Sequence, residues 1–256
     1  MSYLIICSVA LLASSLTFFS GFGLGTLLLP TFAIFFPIEH AVALTAVVHF
    51  LNSLFKVVLA GRHADRGVVL RFGLPAIAAA ILGAWALVLL ADIEPLYAYR
   101  AFGRDLAVTP IKLVVGILLL LFALVEVVPR LRDRSFSPRY MPLGGALSGF
   151  FGGLSGMQGA LRSAFLTRAG LTRETFIGTG VVIACLIDFS RLGVYWRSLR
   201  RAENLNYGLL VAAVAAAFIG AVLGNYQLKK ITMPAIQRVV AVMLFVVAMG
   251  LISGVI

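Results

Sequence analysis

Residues 20–30 read SGFGLGTLLLP, and this stretch lies inside a longer run, 1–38, that contains no Asp, Glu, Lys or Arg. Four further runs are also free of these charged residues: 72–91, 140–161, 205–228 and 239–256. Hydrophobic residues make up 61% of the chain and charged residues 12%, against roughly 45–50% and about 25% in soluble domains. The apolar runs are continuous and do not alternate as in an outer-membrane barrel. The chain is therefore predicted to be an all-α, polytopic membrane protein.

The chain is also basic, with 21 Lys and Arg against 10 Asp and Glu. In a soluble protein this excess would indicate a nucleic-acid partner. Here many of the basic residues separate apolar runs, where they orient the protein and contact anionic headgroups. We therefore expect membrane lipids as partners and no nucleic acid. Cys7 and Cys185 lie in apolar segments and imply no disulfide framework.

Six segments have the roughly 20 apolar residues that a membrane-crossing helix needs. They are 41–60, 68–91, 107–128, 174–196, 205–228 and 234–255. Two further regions, 1–38 and 141–172, are interrupted by clustered glycines, each of which costs a helix about 1 kcal/mol relative to alanine. Where a helix is broken at membrane depth, its exposed backbone N–H and C=O groups must be paired by protein or by water in a cavity. We therefore interpret both regions as broken helical hairpins. The first run lacks the basic start of a signal peptide, so we expect it to belong to the mature fold.

The chain therefore divides into two repeats, 1–128 and 141–256, joined by the basic linker 129–140. Each repeat has a broken hairpin followed by three spans, and together they are expected to form a single transmembrane domain. A shift of 135 residues aligns Ser20-Gly21 with Ser155-Gly156, Glu39 with Glu174 and Lys56 with Arg191. An odd number of crossings per repeat inverts the second copy, which is the arrangement we predict; one kinked span per hairpin would make the repeats parallel. Paired breaks at corresponding positions are the best indication in a sequence of a transporter's binding site.

The first break and its continuation Pro37-Ile-Glu39-His-Ala-Val-Ala resemble the first signature of the TauE/SafE sulfite exporter family. The segments 153–159 and 173–180 are similar to the second copy of that signature, so the resemblance covers essentially the whole chain. It implies a permease of the cell inner membrane that exports sulfite, sulfoacetate or a related anion. The second copy departs from the family pattern, because residues 156–163 (GMQGALRS) stand where the family has a run of three glycines and a proline. This departure indicates a specialised pocket.

Arg162 is the residue most strongly predicted to bind the anion. It follows 22 uncharged residues, 140–161. A charge at the bilayer centre costs several kcal/mol and usually serves a function. A planar guanidinium can bind a sulfonate through two parallel hydrogen bonds. If 141–161 instead spans the membrane fully, Arg162 marks the interface with the headgroups.

The two breaks are predicted to complete the anion site, because helix N-termini present unpaired N–H groups and a partial positive charge. The predicted substrate-binding residues of the breaks are Ser20, Gly21 and Gly23 in the first, and Ser155, Gly156, Gln158 and Ser163 in the second. The alternative is that these glycines allow helices to pack closely, which is the interpretation we give to Gly220 and Gly224.

Two groups of polar residues on the spans belong to the same predicted site. His49, Asn52 and Lys56 are spaced to share one face of a helix. Asp188 and Arg191 are their counterparts in the second repeat, and we expect them to pair within one helix. His49 and Asp188 are also candidates to carry a coupling proton. The structural alternatives are that His49 is a hydrogen-bond partner and that Lys56 extends to the headgroups.

These features predict a secondary transporter for a small anion, driven by a gradient because the chain has no Gly-x-x-x-x-Gly-Lys-Ser/Thr phosphate loop. No cofactor and no metal are expected. The alternatives are an ion channel or a membrane subunit of a larger complex. A membrane enzyme is less favoured, because the sequence has no His-Glu-x-x-His or Gly-x-Ser-x-Gly motif. Assembly as a homodimer is left open.

Overall fold

A computed structural model describes residues 2–16, 23–101, 103–132, 134–201, 206–227 and 233–256. The helices of the first half are α1 (Ser2–Leu16), α2 (Leu24–Ala33), α3 (Ile38–Ala60), α4 (Arg66–Ala91) and α5 (Pro110–Val127). A short helix, α6 (Pro129–Arg132), leads to α7 (Met141–Ser155), α8 (Gly159–Leu166), α9 (Arg173–Arg201), α10 (Tyr207–Gln227) and α11 (Met233–Ile252). Two 3-10 turns, Gly61–His63 and Pro138–Tyr140, precede α4 and α7. The predicted all-α class is confirmed.

Among the described residues, four helical segments are long and apolar enough to cross a membrane. They are Ile38–His63, Arg66–Ala91, Arg173–Trp196 and Tyr207–Gly224. The apolar segments described in α5 and α11 are shorter, Pro110–Val125 and Val240–Ile252. These helices correspond to the six predicted spans, and the chain is a multi-pass membrane protein.

The predicted start of the third span at residue 107 is wrong. Residues 97–108 form a β-hairpin in which β1 (Tyr97–Ala101) pairs antiparallel with β2 (Arg104–Val108). Helix α5 begins only at Pro110. Thr109 caps its start, because Thr109 Oγ1 accepts a hydrogen bond from Lys112 N at 3.3 Å. The hairpin is held to the end of α11, since the Tyr99 hydroxyl donates to the Ser253 carbonyl at 2.5 Å.

The second predicted hairpin is broken where its glycines cluster. Helix α7 ends at Ser155, Gly156 adopts a left-handed conformation with φ of 78°, and α8 begins at Gly159. With 15 and 8 residues, neither α7 nor α8 can cross a hydrocarbon core of about 30 Å at 1.5 Å per residue. Phe136 N, in the linker before α7, donates to Ala164 O in α8 at 3.1 Å. Helix α8 therefore returns toward the end from which α7 starts.

The first hairpin comprises α1 and α2. Residues 17–22, which include the predicted site residues Ser20 and Gly21, lie outside the described residues. The described glycines of the break are Gly23 and Gly25, and Gly23 precedes α2 in a left-handed conformation with φ of 114°. That conformation is readily available only to glycine.

Helices at corresponding positions of the two halves have corresponding neighbours. The counterparts in chain order are α1 and α7, α3 and α9, α4 and α10, and α5 and α11. Helix α1 packs on α10, and in the same way α7 packs on α4. Helix α3 packs on its own counterpart α9, and α5 packs on its own counterpart α11. His49 of α3 lies beside Asp188 of α9, whereas the Ala60 carbonyl lies beside Gly178, so α3 and α9 are antiparallel. Antiparallel counterparts support the inverted arrangement of the repeats, which remains a prediction.

Glycines place α7 directly against the backbone of α4. Cβ atoms added to Gly145, Gly149 and Gly153 would lie 2.1, 2.1 and 2.2 Å from the carbonyl oxygens of Phe72, Ala76 and Ala80. The same contact recurs between α10 and α1, where Cβ atoms on Gly220 and Gly224 would lie 2.2 and 2.4 Å from the carbonyl oxygens of Leu11 and Ser15. The packing interpretation of Gly220 and Gly224 is thereby confirmed.

We expect Gly149→Ala to destabilise the protein, because its methyl group would overlap the Ala76 carbonyl and push α7 away from α4. Overpacking of this kind costs about 2–3 kcal/mol, or roughly 5–10 °C in Tm for a chain of this size. Thermal unfolding of the purified protein in detergent measures the effect. The control is Gly193→Ala in α9, where an added Cβ meets no atom within 4 Å. Equal Tm values for the two variants would contradict the packing account.

Candidate functional site

Four charged side chains are buried in the part of the chain whose burial is described. They are Lys56 in α3, Arg162 in α8, and Asp188 and Arg191 in α9, with exposed fractions of 7%, 3%, 0% and 0%. Lys56 therefore does not extend to the surface, and Arg162, which lies beyond a helix that ends at Ser155, is enclosed by protein. All four were predicted as site residues, and the structure brings them into one region of the bundle.

Asp188 connects α3, α9 and the second break through its carboxylate. Its Oδ2 lies 2.5 Å from His49 Nδ1 on α3, and its Oδ1 accepts a hydrogen bond from Gln158 Nε2 at 2.8 Å. Its Oδ1 also accepts from Arg191 Nε at 3.0 Å, which confirms the predicted pairing within α9. The carboxylate is thus surrounded by donors from α3, from the second break and from its own helix.

Gln158 connects this carboxylate to Arg162. Its side-chain amide donates to Asp188, while its Oε1 accepts from Arg162 Nη1 at 3.0 Å. The Gln158 carbonyl accepts from Ser148 Oγ at 2.9 Å, which fixes the residue between α7 and α8. Because Gln158 is 1% exposed, both ends of its amide depend on these partners.

Asn52 and Lys56 form a second polar group on α3. With the Asn52 amide oriented so that both of its ends are paired, its nitrogen donates to Ser14 Oγ at 3.0 Å and to the Ala217 carbonyl at 3.3 Å. Its oxygen then accepts from Lys56 Nζ at 3.2 Å. This group ties α3 to α1 and α10, and it leaves Asn52 fully engaged in the fold.

The two glycine-rich breaks touch each other beside the Asp188 group. A Cβ atom on Gly25, in the first turn of α2, would lie 3.1 Å from the Gly156 carbonyl oxygen and 3.5 Å from His49 Cδ2. A Cβ atom on Gly156 would lie 3.1 Å from Arg191 Nη1. The start of α2, the second break, His49 and Arg191 therefore converge at one point, which we call the break junction.

Two buried polar atoms near the break junction have no hydrogen-bond partner among the described residues. They are Thr45 Oγ1, one turn before His49, and Arg191 Nη2. Arg191 Nη2 lies 2.8 Å from Asp188 Oδ1, but this ion-pair contact does not satisfy hydrogen-bond geometry. Unpaired buried donors are rare in folded proteins and call for an explanation. Thr45 was missed from the sequence, although its spacing from His49 and Asn52 placed it on the same helix face.

The predicted site residues Ser155 and Ser163 lie in α7 and α8. The Ser155 hydroxyl donates to the Phe151 carbonyl at 2.9 Å, so it is paired within its own helix. Ser163 is only half-buried, and its carbonyl accepts from the Thr167 hydroxyl at 2.7 Å. Their part in binding an anion remains a prediction.

A cleft of about 470 Å³ is lined by the start of α3, the end of α4 and part of α9. Glu39, His40 and Asp92 contribute its polar lining, and Tyr195 of α9 also lines it. The Tyr195 hydroxyl donates to the Gly153 carbonyl, and Arg191 Nη1, one turn earlier, donates to the Gly152 carbonyl at 3.0 Å. These two bonds hold α9 against the end of α7. Tyr195 was also missed from the sequence, because a tyrosine at the end of a span is typical of the membrane interface.

Within the described ranges, no group of three or more His, Cys, Asp and Glu side chains is arranged to hold a metal ion. The polar centre consists instead of three cations, one carboxylate and neutral donors. Its chemistry is that of charge recognition.

Ionisable residues buried among broken helices in a membrane-spanning bundle are the arrangement of a membrane transporter. The family model for the sulfite exporter TauE/SafE matches residues 6–251. The chain therefore belongs to the TauE/SafE sulfite exporter family, as the resemblance of its two signatures predicted. A comparison with curated proteins found no match. Membership implies a membrane transporter of sulfite or related sulfur anions, in agreement with the predicted class and with a location in the inner membrane.

We expect Gln158→Leu to lower the stability of the ligand-free protein. The substitution removes one partner each from Arg162 and Asp188 while both stay buried, and an unsatisfied buried group costs about 1–3 kcal/mol. Thermal unfolding in detergent measures the loss. Ser155→Ala serves as the control, since it removes only a bond to its own helix. If Gln158→Leu is no less stable than Ser155→Ala, the bridging role of Gln158 is refuted.

Proposed function

We propose that the protein is a secondary transporter that exports a small sulfur oxyanion or organosulfonate, such as sulfite or sulfoacetate, across the inner membrane. The anion is held at the break junction by Arg162, Lys56 and Arg191, between the two glycine-rich breaks. The observation that carries the proposal is the excess of buried positive charge: three cations face one carboxylate among the residues whose burial is described.

This excess of buried positive charge is costly in a membrane and attracts an anion. An isolated charge transferred to an apolar medium costs many kcal/mol, so buried charges are normally paired. Arg162 interacts electrostatically with both Lys56 and Asp188, so these charges are close enough to attract the same anion. With His49 neutral and with Lys56 and both arginines charged, the group carries two more positive than negative charges, and this excess attracts an anion.

The unpaired donors at the break junction supply directional contacts for an oxyanion. Thr45 Oγ1 is buried without a hydrogen-bond partner among the described residues, and Arg191 Nη2 forms only an ion-pair contact with Asp188 Oδ1 at 2.8 Å. The first backbone N–H groups of α2 and α8 add further donors, because the first turn of a helix has no carbonyl of its own helix to pair with. The first helical hydrogen bonds are Leu27 N to Gly23 O in α2 and Arg162 N to Gln158 O in α8. A sulfonate has three acceptor oxygens for such donors. Selectivity over chloride then comes from several donors arranged around one anion.

The hydrogen-bonded centre favours a carrier over the alternative of an open channel. A continuous set of hydrogen bonds connects α9 to the second break through Asp188, Gln158 and Arg191. An anion must therefore displace these contacts before it can pass. A conformational cycle of this kind is typical of secondary transporters with paired broken helices. A catalytic function is not part of the proposal, since the matched family consists of transporters.

We expect Arg162→Ala to weaken the binding of methanesulfonate and sulfite at least about tenfold while the protein stays folded. The loss corresponds to a charge-assisted hydrogen bond of roughly 1.5–3 kcal/mol. Arg162→Lys should recover only part of the affinity, because an ammonium group keeps the positive charge but lacks the paired N–H donors of a guanidinium. Titration calorimetry on the purified protein measures affinity, and uptake into proteoliposomes measures transport.

The matched control is Arg168→Ala, which removes an exposed arginine just beyond the same short helix. It should bind and transport as the unmodified protein does. If Arg162→Ala binds either anion with unchanged affinity, the proposed site is wrong. If the unmodified protein binds no sulfur oxyanion or sulfonate, the proposed substrate class is wrong as well.

A further inference from the structure

Asp188 occupies the donors that a substrate anion needs. Its carboxylate accepts from Arg191 Nε at 3.0 Å and from Gln158 Nε2 at 2.8 Å, and it lies 2.5 Å from His49 Nδ1. These groups also border the break junction, where a Cβ atom on Gly25 would lie 3.5 Å from His49 and one on Gly156 would lie 3.1 Å from Arg191. In the structure, therefore, an anionic side chain of the protein itself fills the position of a ligand.

The titratable groups around this carboxylate come from three helices. They are His49 and Lys56 on α3, Arg162 on α8, and Cys185, Arg191 and Tyr195 on α9. Helices α4 and α7 also pack on α9, but their described buried residues are apolar, glycine or serine. The side chain of Asp188 is thus the one negative charge in the described centre.

A substrate anion and an ionised Asp188 compete for the same donors. Once the anion has taken them, the carboxylate is buried with fewer hydrogen bonds and next to a like charge. Both changes oppose ionisation, because burial and a neighbouring negative charge each disfavour a carboxylate. A proton on Asp188 removes both penalties. It also leaves the net charge of the centre unchanged, since one monoanion replaces one carboxylate.

We propose that the substrate anion displaces the Asp188 carboxylate from its donors and that Asp188 takes up one proton from solution as the anion binds. This inference rests on the proposed function and specifies how transport is coupled. A monoanion then moves together with a proton as a net neutral acid. The membrane potential does no work on that step, and the combined concentration gradients of the anion and the proton set its direction.

Titration calorimetry with methanesulfonate tests the proposal, because this anion is permanently ionised and contributes no proton of its own. Binding is measured at one pH in two buffers with different enthalpies of ionisation, which gives the number of protons taken up. The unmodified protein should take up about one proton per anion. Its affinity should also fall about tenfold per pH unit in the range where Asp188 is ionised in the free protein and protonated in the complex.

Two variants assign the proton to its residue. Asp188→Asn should bind methanesulfonate with no proton uptake and with an affinity that does not change with pH. The control Asp105→Asn, which alters a side chain that is 92% exposed, should behave as the unmodified protein does. His49→Gln cannot hold a proton and should retain the uptake.

The outcomes separate this proposal from the proposed function. Methanesulfonate binding without proton uptake in the unmodified protein would overturn the coupling and leave the anion site standing. Uptake that persists in Asp188→Asn, or disappears in His49→Gln, would overturn the assignment to Asp188. If Asp188→Asn does not fold, the proton count of the unmodified protein alone decides whether coupling exists. Absence of any anion binding would refute the proposed function, and this inference with it.

Discussion

The contact between Asp188 and its three donors is the interaction on which the polar centre depends. Three buried cations in a membrane bundle repel one another, and Asp188 is the buried carboxylate that the described structure sets against them. Because its partners come from α3, from α9 and from the second break, the carboxylate also joins the two halves of the chain. An ion pair in an apolar interior contributes little net stability by itself, but removing one partner is strongly destabilising. Binding of a ligand at this site must therefore replace the contact with another of similar strength.

Close backbone packing is what keeps that contact in position. Glycines of α7 lie on the carbonyl oxygens of α4, and glycines of α10 lie on those of α1. Lipid tails are as apolar as leucine, so helices in membranes associate through close packing and hydrogen bonds more than through burial of apolar surface. The end of α7 is therefore fixed before the second break begins. Tyr195 and Arg191 then fasten α9 to the carbonyls of Gly153 and Gly152 at that end.

Much of this structure follows from one-dimensional patterns, and the remainder depends on contacts between distant residues. Long apolar runs predicted the helices, and the intramembrane charges Arg162, Asp188 and Arg191 were identified because charge is costly in a bilayer. The β-hairpin at 97–108 was missed, because its short strands carry the charges that also mark a loop. The pairing of His49 with Asp188, 139 positions apart, has no local signal. Thr45 was missed because a single threonine on an apolar helix usually bonds to its own backbone.

The position of a bound anion is the most direct test of the account. 2-Bromoethanesulfonate carries the sulfonate group together with an anomalous scatterer, so diffraction from crystals grown with it locates the ligand independently of any variant. The account predicts one bromine position at the break junction, with the sulfonate within hydrogen-bond distance of Arg162 or Arg191 and with Asp188 withdrawn from Arg191. A bromine found only in the cleft beside Glu39 and Asp92, with the Asp188 contacts intact, would contradict it.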